Sequence, residues 1–413
     1  MREMKDSGIS WVGKMPTHWT KKKGKYILRY MSKPVKQDDS VITCFRDGEV
    51  TLRSNRREDG FMMADKEIGY QGVDVGDLVV HGMDGFAGAI GISDSRGKAS
   101  PVLNVLNTKQ NKKYIMYYLR SMAYGEVFTA LSTGIRVRSC DLRWNKLAEL
   151  LYPLPPIDEQ NNIVNYIDEQ IARTNEIIAD IQAQIDTLEQ YKRSIITEAV
   201  THGLNPSAPM KDSGIPWVGQ FPTHWTKKKG KYILRYMSKP VKQDDGVITC
   251  FRDGEVTLRS NRREDGFTMA DKEIGYQGVD VGDLVVHGMD GFAGAIGISD
   301  SRGKASPVLN VLNTQQNKKY IMYYLRSMAY GEVFTALSTG IRVRSCDLRW
   351  NKLAELLYPL PPIDEQNNIV NYIDEQIART NEIIADKKSQ IETLDGYKKS
   401  LIYEYVTGKK EAG

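Results

Sequence analysis

Residues 152–201 read Tyr152-Pro-Leu-Pro-Pro-Ile-Asp-Glu-Gln160 followed by NNIVNYIDEQIARTNEIIADIQAQIDTLEQYKRSIITEAVT, and the fold turns on this stretch. The prolines predict the end of a globular part, because consecutive prolines cannot donate ladder hydrogen bonds and cannot sit inside a helix. Ile157–Thr201 then contains no Gly or Pro. Ile167, Ile171, Thr174, Ile178, Ile181, Ile185, Leu188, Lys192 and Ile195 step by fours and threes, the spacing of a coiled-coil seam. Asp158 stands where an N-cap or first-turn acid favours helix initiation. A helix of about 45 residues would be a rod of roughly 65–70 Å.

Working outward, residues 4–180 recur at 210–386 without a gap. The differences are Ser10/Pro216, Lys14/Gln220, Met15/Phe221, Ser40/Gly246, Met62/Thr268 and Lys109/Gln315. So long a period excludes a solenoid, and each copy is a whole domain plus its connection. The second helical stretch carries Ile373, Ile377, Thr380, Ile384, Lys387, Ile391, Leu394 and Leu401 at the same spacing. His202–Pro209 (HGLNPSAP) breaks the first rod. The expected order is globule 1–152, helix 153–203, globule 204–358 and helix 359–413. Two rods of equal length can lie antiparallel, which would place the globules at opposite ends with pseudo-two-fold symmetry.

Each globule mixes short β-like runs with Gly-rich turns: Tyr26–Tyr30, Val41–Phe45, Gly48–Arg53, Asp77–His81 and Gly88–Ser93. Asn111–Ala123 predicts a helix with Ile115, Met116 and Leu119 inward. The fold class is therefore mixed α+β. The 413 residues, 41% hydrophobic and 26% charged, suffice for two cores. The sequence has neither a transmembrane-length apolar run nor the apolar core of a signal peptide at MREMKDSGISWVG. Cys44, Cys140, Cys250 and Cys346 lack metal-ligand spacing and read as reduced thiols of a cytoplasmic protein. A net charge of +5 permits nucleic-acid binding without demanding it.

No catalytic motif emerges. Gly91-Ile-Ser-Asp-Ser-Arg-Gly-Lys-Ala99 looks like a phosphate loop, but it has five residues between its glycines and Ala where the Mg²⁺-binding hydroxyl belongs. A hairpin turn and polar loop is the better reading. Gly82–Gly88 precedes a strand-like run rather than a helix, so it reads as a hairpin and not a dinucleotide loop. His18/His224, His81/His287 and His202 have no ligand partner at useful spacing, and His18 beside Trp19 reads as a packed or capping residue. Basic clusters recur instead. Lys21, Lys22 and Lys23 return as Lys227, Lys228 and Lys229. Arg53, Asn55, Arg56 and Arg57 return as Arg259, Asn261, Arg262 and Arg263, and Arg136 and Arg138 as Arg342 and Arg344. Arg and Asn on turns suit base-edge readout, and Lys runs suit phosphates. These are the candidate DNA-binding residues; for the lysine run a merely solvated surface is at least as good a reading.

Met4-Lys-Asp-Ser-Gly-Ile-Ser-Trp-Val-Gly-Lys-Met-Pro-Thr-His-Trp19, repeated at Met210–Trp225, resembles the opening of specificity subunits of type I restriction-modification systems. Val75–Gly88, Ser132-Thr-Gly134 and Leu150–Gln160, with Pro-Leu-Pro-Pro-x-x-Glu-Gln again at 359–366, resemble further family segments in the same order. The resemblance implies a non-catalytic DNA-reading subunit with two target-recognition domains and an antiparallel coiled coil as ruler. It implies double-stranded DNA, two methyltransferase subunits and restriction subunits as partners. S-adenosylmethionine, ATP and Mg would reside on those partners, and this chain would bind no cofactor. Two near-identical readers predict an interrupted palindrome, with one methylated adenine per strand. Met62/Thr268 is the difference best placed to touch bases. A fragment ending near residue 206 is expected to dimerise. The alternatives are a stand-alone symmetric repressor, a coiled-coil scaffold that never touches DNA, and an intrinsic nuclease or methyltransferase.

Overall fold

The computed structural model describes residues 2–56, 68–131, 142–262, 274–337 and 348–412. In the first copy the strands are β1 Met4–Asp6, β2 Lys14–Pro16, β3 Thr20–Lys23, β4 Leu28–Tyr30, β5 Ile42–Cys44 and β6 Val50–Leu52, then β7 Gln71–Val73, β8 Leu78–His81, β9 Ile90–Ile92, β10 Gly97–Ala99, β11 Leu103–Thr108 and β12 Leu151–Leu154. The helices are α1 Lys112–Tyr124, α2 Val127–Leu131, α3 Trp144–Glu149 and α4 Ile157–His202. The second copy repeats every strand, and its helices are α5 Lys318–Tyr330, α6 Val333–Leu337, α7 Trp350–Glu355 and α8 Ile363–Val406. The mixed α+β class holds, with two strand-rich domains and two long helices.

The central sheet of each globule is antiparallel in the order β4-β11-β8-β9. Leu78, Val79 and Val80 of β8 are buried on both faces, between α1 on one side and the β5–β6 and β7–β10 ladders on the other. Asn111 caps α1 by accepting from the Tyr114 amide at 3.1 Å. Ile115, Met116 and Leu119 face inward as expected, joined by Tyr114, Tyr117, Tyr118 and Met122.

Two expectations need correction. Tyr152-Pro-Leu154 does not end the globule: it forms β12, antiparallel to β3, with Pro153 opposite Lys21. A proline is tolerated there because the ladder has only two strands and Pro153 needs no donor on its open edge; the break falls at Pro155-Pro156. The polar loop expected after Gly91 is in part strand β10, paired with β7.

The chain divides into two compact units, Met1–Ile181 with Lys388–Gly413, and Gln182–Lys387. In the first unit the opening half of α4 runs antiparallel to the closing half of α8: the Tyr166 and Tyr405 rings lie 4.6 Å apart, and Lys398 donates to Asn175 at 3.0 Å. In the second unit the closing half of α4 meets the opening half of α8, where Lys192 donates to Asn381 at 2.8 Å. These two Lys–Asn contacts are copies of each other with the roles of the repeats exchanged. The same exchange recurs at the helix ends: Tyr114 donates to the Val406 carbonyl, and Tyr320 donates to that of Val200. Each globule therefore packs on the helix end of the other copy. Every position of both heptad seams is buried or half-buried.

Candidate nucleic-acid interface

In each globule, three segments converge, joined by Arg46 on Asp84 and Arg56 on Asp47. The first is the β5–β6 turn, Phe45–Glu49, closed by the Phe45 amide on the Glu49 carbonyl at 2.8 Å. Arg120 of α1 braces this turn, donating to the Asp47 carbonyl at 3.0 Å and to that of Ile90 at 2.8 Å. The second is the 3₁₀ turn Arg53–Asn55 that follows β6. The third is the Gly82–Ala87 turn between β8 and β9. His81 accepts the Met83 and Asp84 amides on Nδ1, at 3.2 and 2.9 Å, and so fixes the bend. Burial holds the His81 pKa below the ordinary imidazole value, which keeps Nδ1 free to accept. Leu142 is pinned to this third turn: its amide donates to the Gly82 carbonyl, and Asn104 donates to its carbonyl.

This edge carries arginines held in place by neighbouring acids, hydroxyls and a ring. Arg56 lies 4.3 Å above the Phe45 ring and donates to Asp47 at 2.7 Å, with Glu49 at 3.0 Å. Arg53 donates to Thr43 Oγ1 at 3.1 Å, and Asn55 to Thr51 Oγ1 at 2.8 Å. Arg46, absent from the candidates drawn from sequence, bridges to Asp84 at 3.0 Å and remains 70% exposed. Met83 projects from the third turn 56% exposed. The second copy repeats the arrangement: Arg252 on Asp290, Arg262 on Asp253 and over Phe251, Arg259 on Thr249, Asn261 on Thr257, and exposed Met289. Guanidinium groups already aimed and partly paired lose little rotamer freedom when they meet base edges or phosphates. Arg57, Arg136, Arg138, Arg263, Arg342 and Arg344, together with Met62 and Thr268, lie outside the described residues.

The lysine run sits elsewhere, on β3 at the root of α4. Lys21 donates to the Ser7 carbonyl at 2.5 Å, and Lys23 and Lys25 clamp Glu149 at 2.6 and 2.8 Å. Those hydrogen bonds pull the Glu149 carboxyl down to about 2. In the second copy Lys227 holds Ser213, and Lys229 and Lys231 hold Glu355. Lys22 and Lys228 are exposed on the same strands.

The Gly91–Ala99 stretch is tied to its own globule. Arg96 turns inward to Asp39, at 3.0 and 2.8 Å, and to Asp74. Burial pushes the Cys44 and Cys250 thiols up to about 12, far from thiolate reactivity. His18 is not packed as expected: it is exposed, and its ring lies 2.8 Å from the Glu159 carboxylate at the start of α4. Among the described residues no group of three or more His, Cys, Asp or Glu side chains could hold a metal ion, and no helix is long and apolar enough to cross a membrane.

Two strand-rich domains, each seated on antiparallel segments of two long helices, define a class already known in structure. A chain from work on complex assembly and conformational transition of a type I R-M system superposes with a TM-score of 0.64, covering 96% of this chain and 99% of its own at 13% identity. The HsdS subunit of Thermoanaerobacter tengcongensis matches over 96% of this chain and 98% of its own at 13% identity, with a TM-score of 0.48. In sequence the chain is similar to a Methanocaldococcus jannaschii protein described as the MjaX specificity subunit of a type I restriction enzyme. They are 22% identical over 331 residues, 74% of this chain and 71% of the relative. No family model matches. In fold the chain is thus similar to a chain of a type I R-M system, and in sequence to a type I specificity subunit.

Proposed function

We propose that the chain is the non-catalytic DNA-reading subunit of a type I restriction-modification enzyme, recognising a bipartite site and carrying methyltransferase and restriction subunits. The observation that carries this reading is the pair of near-identical arginine-bearing edges, Arg46/Arg53/Arg56 and Arg252/Arg259/Arg262, each on a globule tied to both long helices. Phosphates would be met by the flanking cations, and base edges by Arg and Asn on the turns. Identical readers imply identical half-sites on opposite strands, hence an interrupted palindrome. The methyl donor, ATP and Mg would be held by the partner subunits.

Single-molecule sequencing for N6-methyladenine, in cells expressing this chain with its cognate methyltransferase subunit, tests the reading. One interrupted palindrome, methylated once per strand, is the expected result. An asymmetric motif would remove the symmetry while keeping the role. No motif from a complex shown to be assembled would remove the role.

A further inference from the structure

One glutamate-glutamine pair and one aspartate tie each long helix to its own globule, and no DNA-reading role uses them. Glu159, in the first turn of α4, accepts from Trp19 Nε1 at 3.1 Å and Arg2 at 2.6 Å, with His18 Nε2 at 2.8 Å. Gln160 is fully buried. Its amide donates to the Pro155 carbonyl and to Gln110, at 2.9 and 2.8 Å, while its oxygen accepts the Asn111 amide at 3.0 Å. Two turns further on, Asp168 accepts from Tyr117 at 2.5 Å and Lys113 at 2.7 Å, both on α1. The second copy is built alike: Glu365 on Trp225 and His224, Gln366 on Pro361, Gln316 and Asn317, and Asp374 on Tyr323 and Lys319.

Residues 159 and 168 are about 13 Å apart along a helix. Ile163, Val164 and Ile167 bury this stretch of helix in the globule core, and Asp168 adds a directional polar attachment two turns from the root, which fixes the angle that apolar packing alone leaves adjustable. The lever is long: over about 30 Å of helix, a tilt of about 6° moves the far end by one base-pair step of about 3.4 Å. We infer that Glu159, Gln160 and Asp168, with Glu365, Gln366 and Asp374, are positioning residues that fix how each helix leaves its reading domain, and thereby the number of base pairs between half-sites. The inference rests on the reading above.

The test uses the full chain assembled with its methyltransferase subunits, on a DNA library in which the half-sites are separated by every gap within three base pairs of the native one. Asp168→Ala/Asp374→Ala is the main variant, since these carboxylates are half-exposed and their loss leaves the core intact. The wild-type complex should methylate at one gap. The variant should keep the same half-site bases and methylate at neighbouring gaps at a tenth or more of the native rate. Asp168→Asn/Asp374→Asn still accepts from Tyr117 and Tyr323 and should restore the single gap. A retained single gap in the Ala variant, or an equal loss at every gap, overturns the inference. A wild-type complex that methylates no bipartite site overturns the functional reading, and the inference with it.

Discussion

At the residue scale, the glycines that imitate a phosphate loop have a packing role. A Cβ on Gly91 would lie 2.0 Å from the Gly48 carbonyl oxygen and 2.8 Å from Val50 Cγ2, and one on Gly97 2.4 Å from the Ser40 carbonyl oxygen. These glycines let the β5–β6 hairpin lie directly on β9 and β10. Gly91→Ala should destabilise the first globule by about 1–3 kcal/mol, read as a lower midpoint in chemical denaturation. The neighbouring Asp39 carboxyl is almost wholly buried, and the Arg96 guanidinium pulls it down to about 2. A carboxyl depressed in the folded state contributes stability above its unfolded pKa of about 3.9, and that contribution is lost as pH falls towards 2. Wild-type stability should therefore fall between about pH 5 and pH 2. Asp39→Asn/Asp245→Asn should be less stable at pH 7 and lose less over that window, as denaturant titrations at pH 7 and pH 3 would show.

At the scale of elements, the helices were legible because their signals are local. The four-three seam marked α4 and α8, and Asn111 followed by an apolar stripe marked α1. Asn111→Ala removes the acceptor for an otherwise orphaned amide and should cost about 1 kcal/mol, measured by thermal melting; Asn317→Ala should match it. Several strands were not legible, and each for its own reason. β3 is four exposed residues, Thr-Lys-Lys-Lys, whose pleat carries no apolar alternation. β11 is buried on both faces at Leu103–Leu106, so alternation is lost from the opposite side. β12 contains a proline and is recognisable only through its partner. The site was half legible. Clustered Arg53, Asn55 and Arg56 stand out in sequence, whereas Arg46 is a lone arginine whose value appears only when β8–β9 brings Asp84 beside it. Glu159 and Gln160 were visible as part of a motif, yet all the partners of their side chains but Pro155 lie 49 to 157 residues away.

At the scale of the molecule, duplication was legible from self-comparison, and the exchanged helix ends were not. That exchange depends on which half of each helix meets which globule, a fact of tertiary packing. A chain of residues 1–206 holds one globule and one whole helix, so its Tyr114 lacks the Val406 carbonyl that completes its pair of acceptors. Two such chains can supply each other's Val200 in that place, as Tyr320 and Val200 already do. The fragment should sediment as a homodimer and, with the methyltransferase subunit, restore methylation of the same palindrome. A stable monomer that binds no partner would argue against the symmetric assembly.

The exchanged packing also decides where damage is felt. Ile196, Ala199 and Val200 belong to the first repeat by descent but to the second globule by contact, while Leu401, Ile402 and Val406 serve the first. A lesion at the close of one repeat's helix is thus inherited by the opposite globule. Second-site suppressors of such a lesion should map to the other repeat, and a screen confined to the mutated copy would miss them.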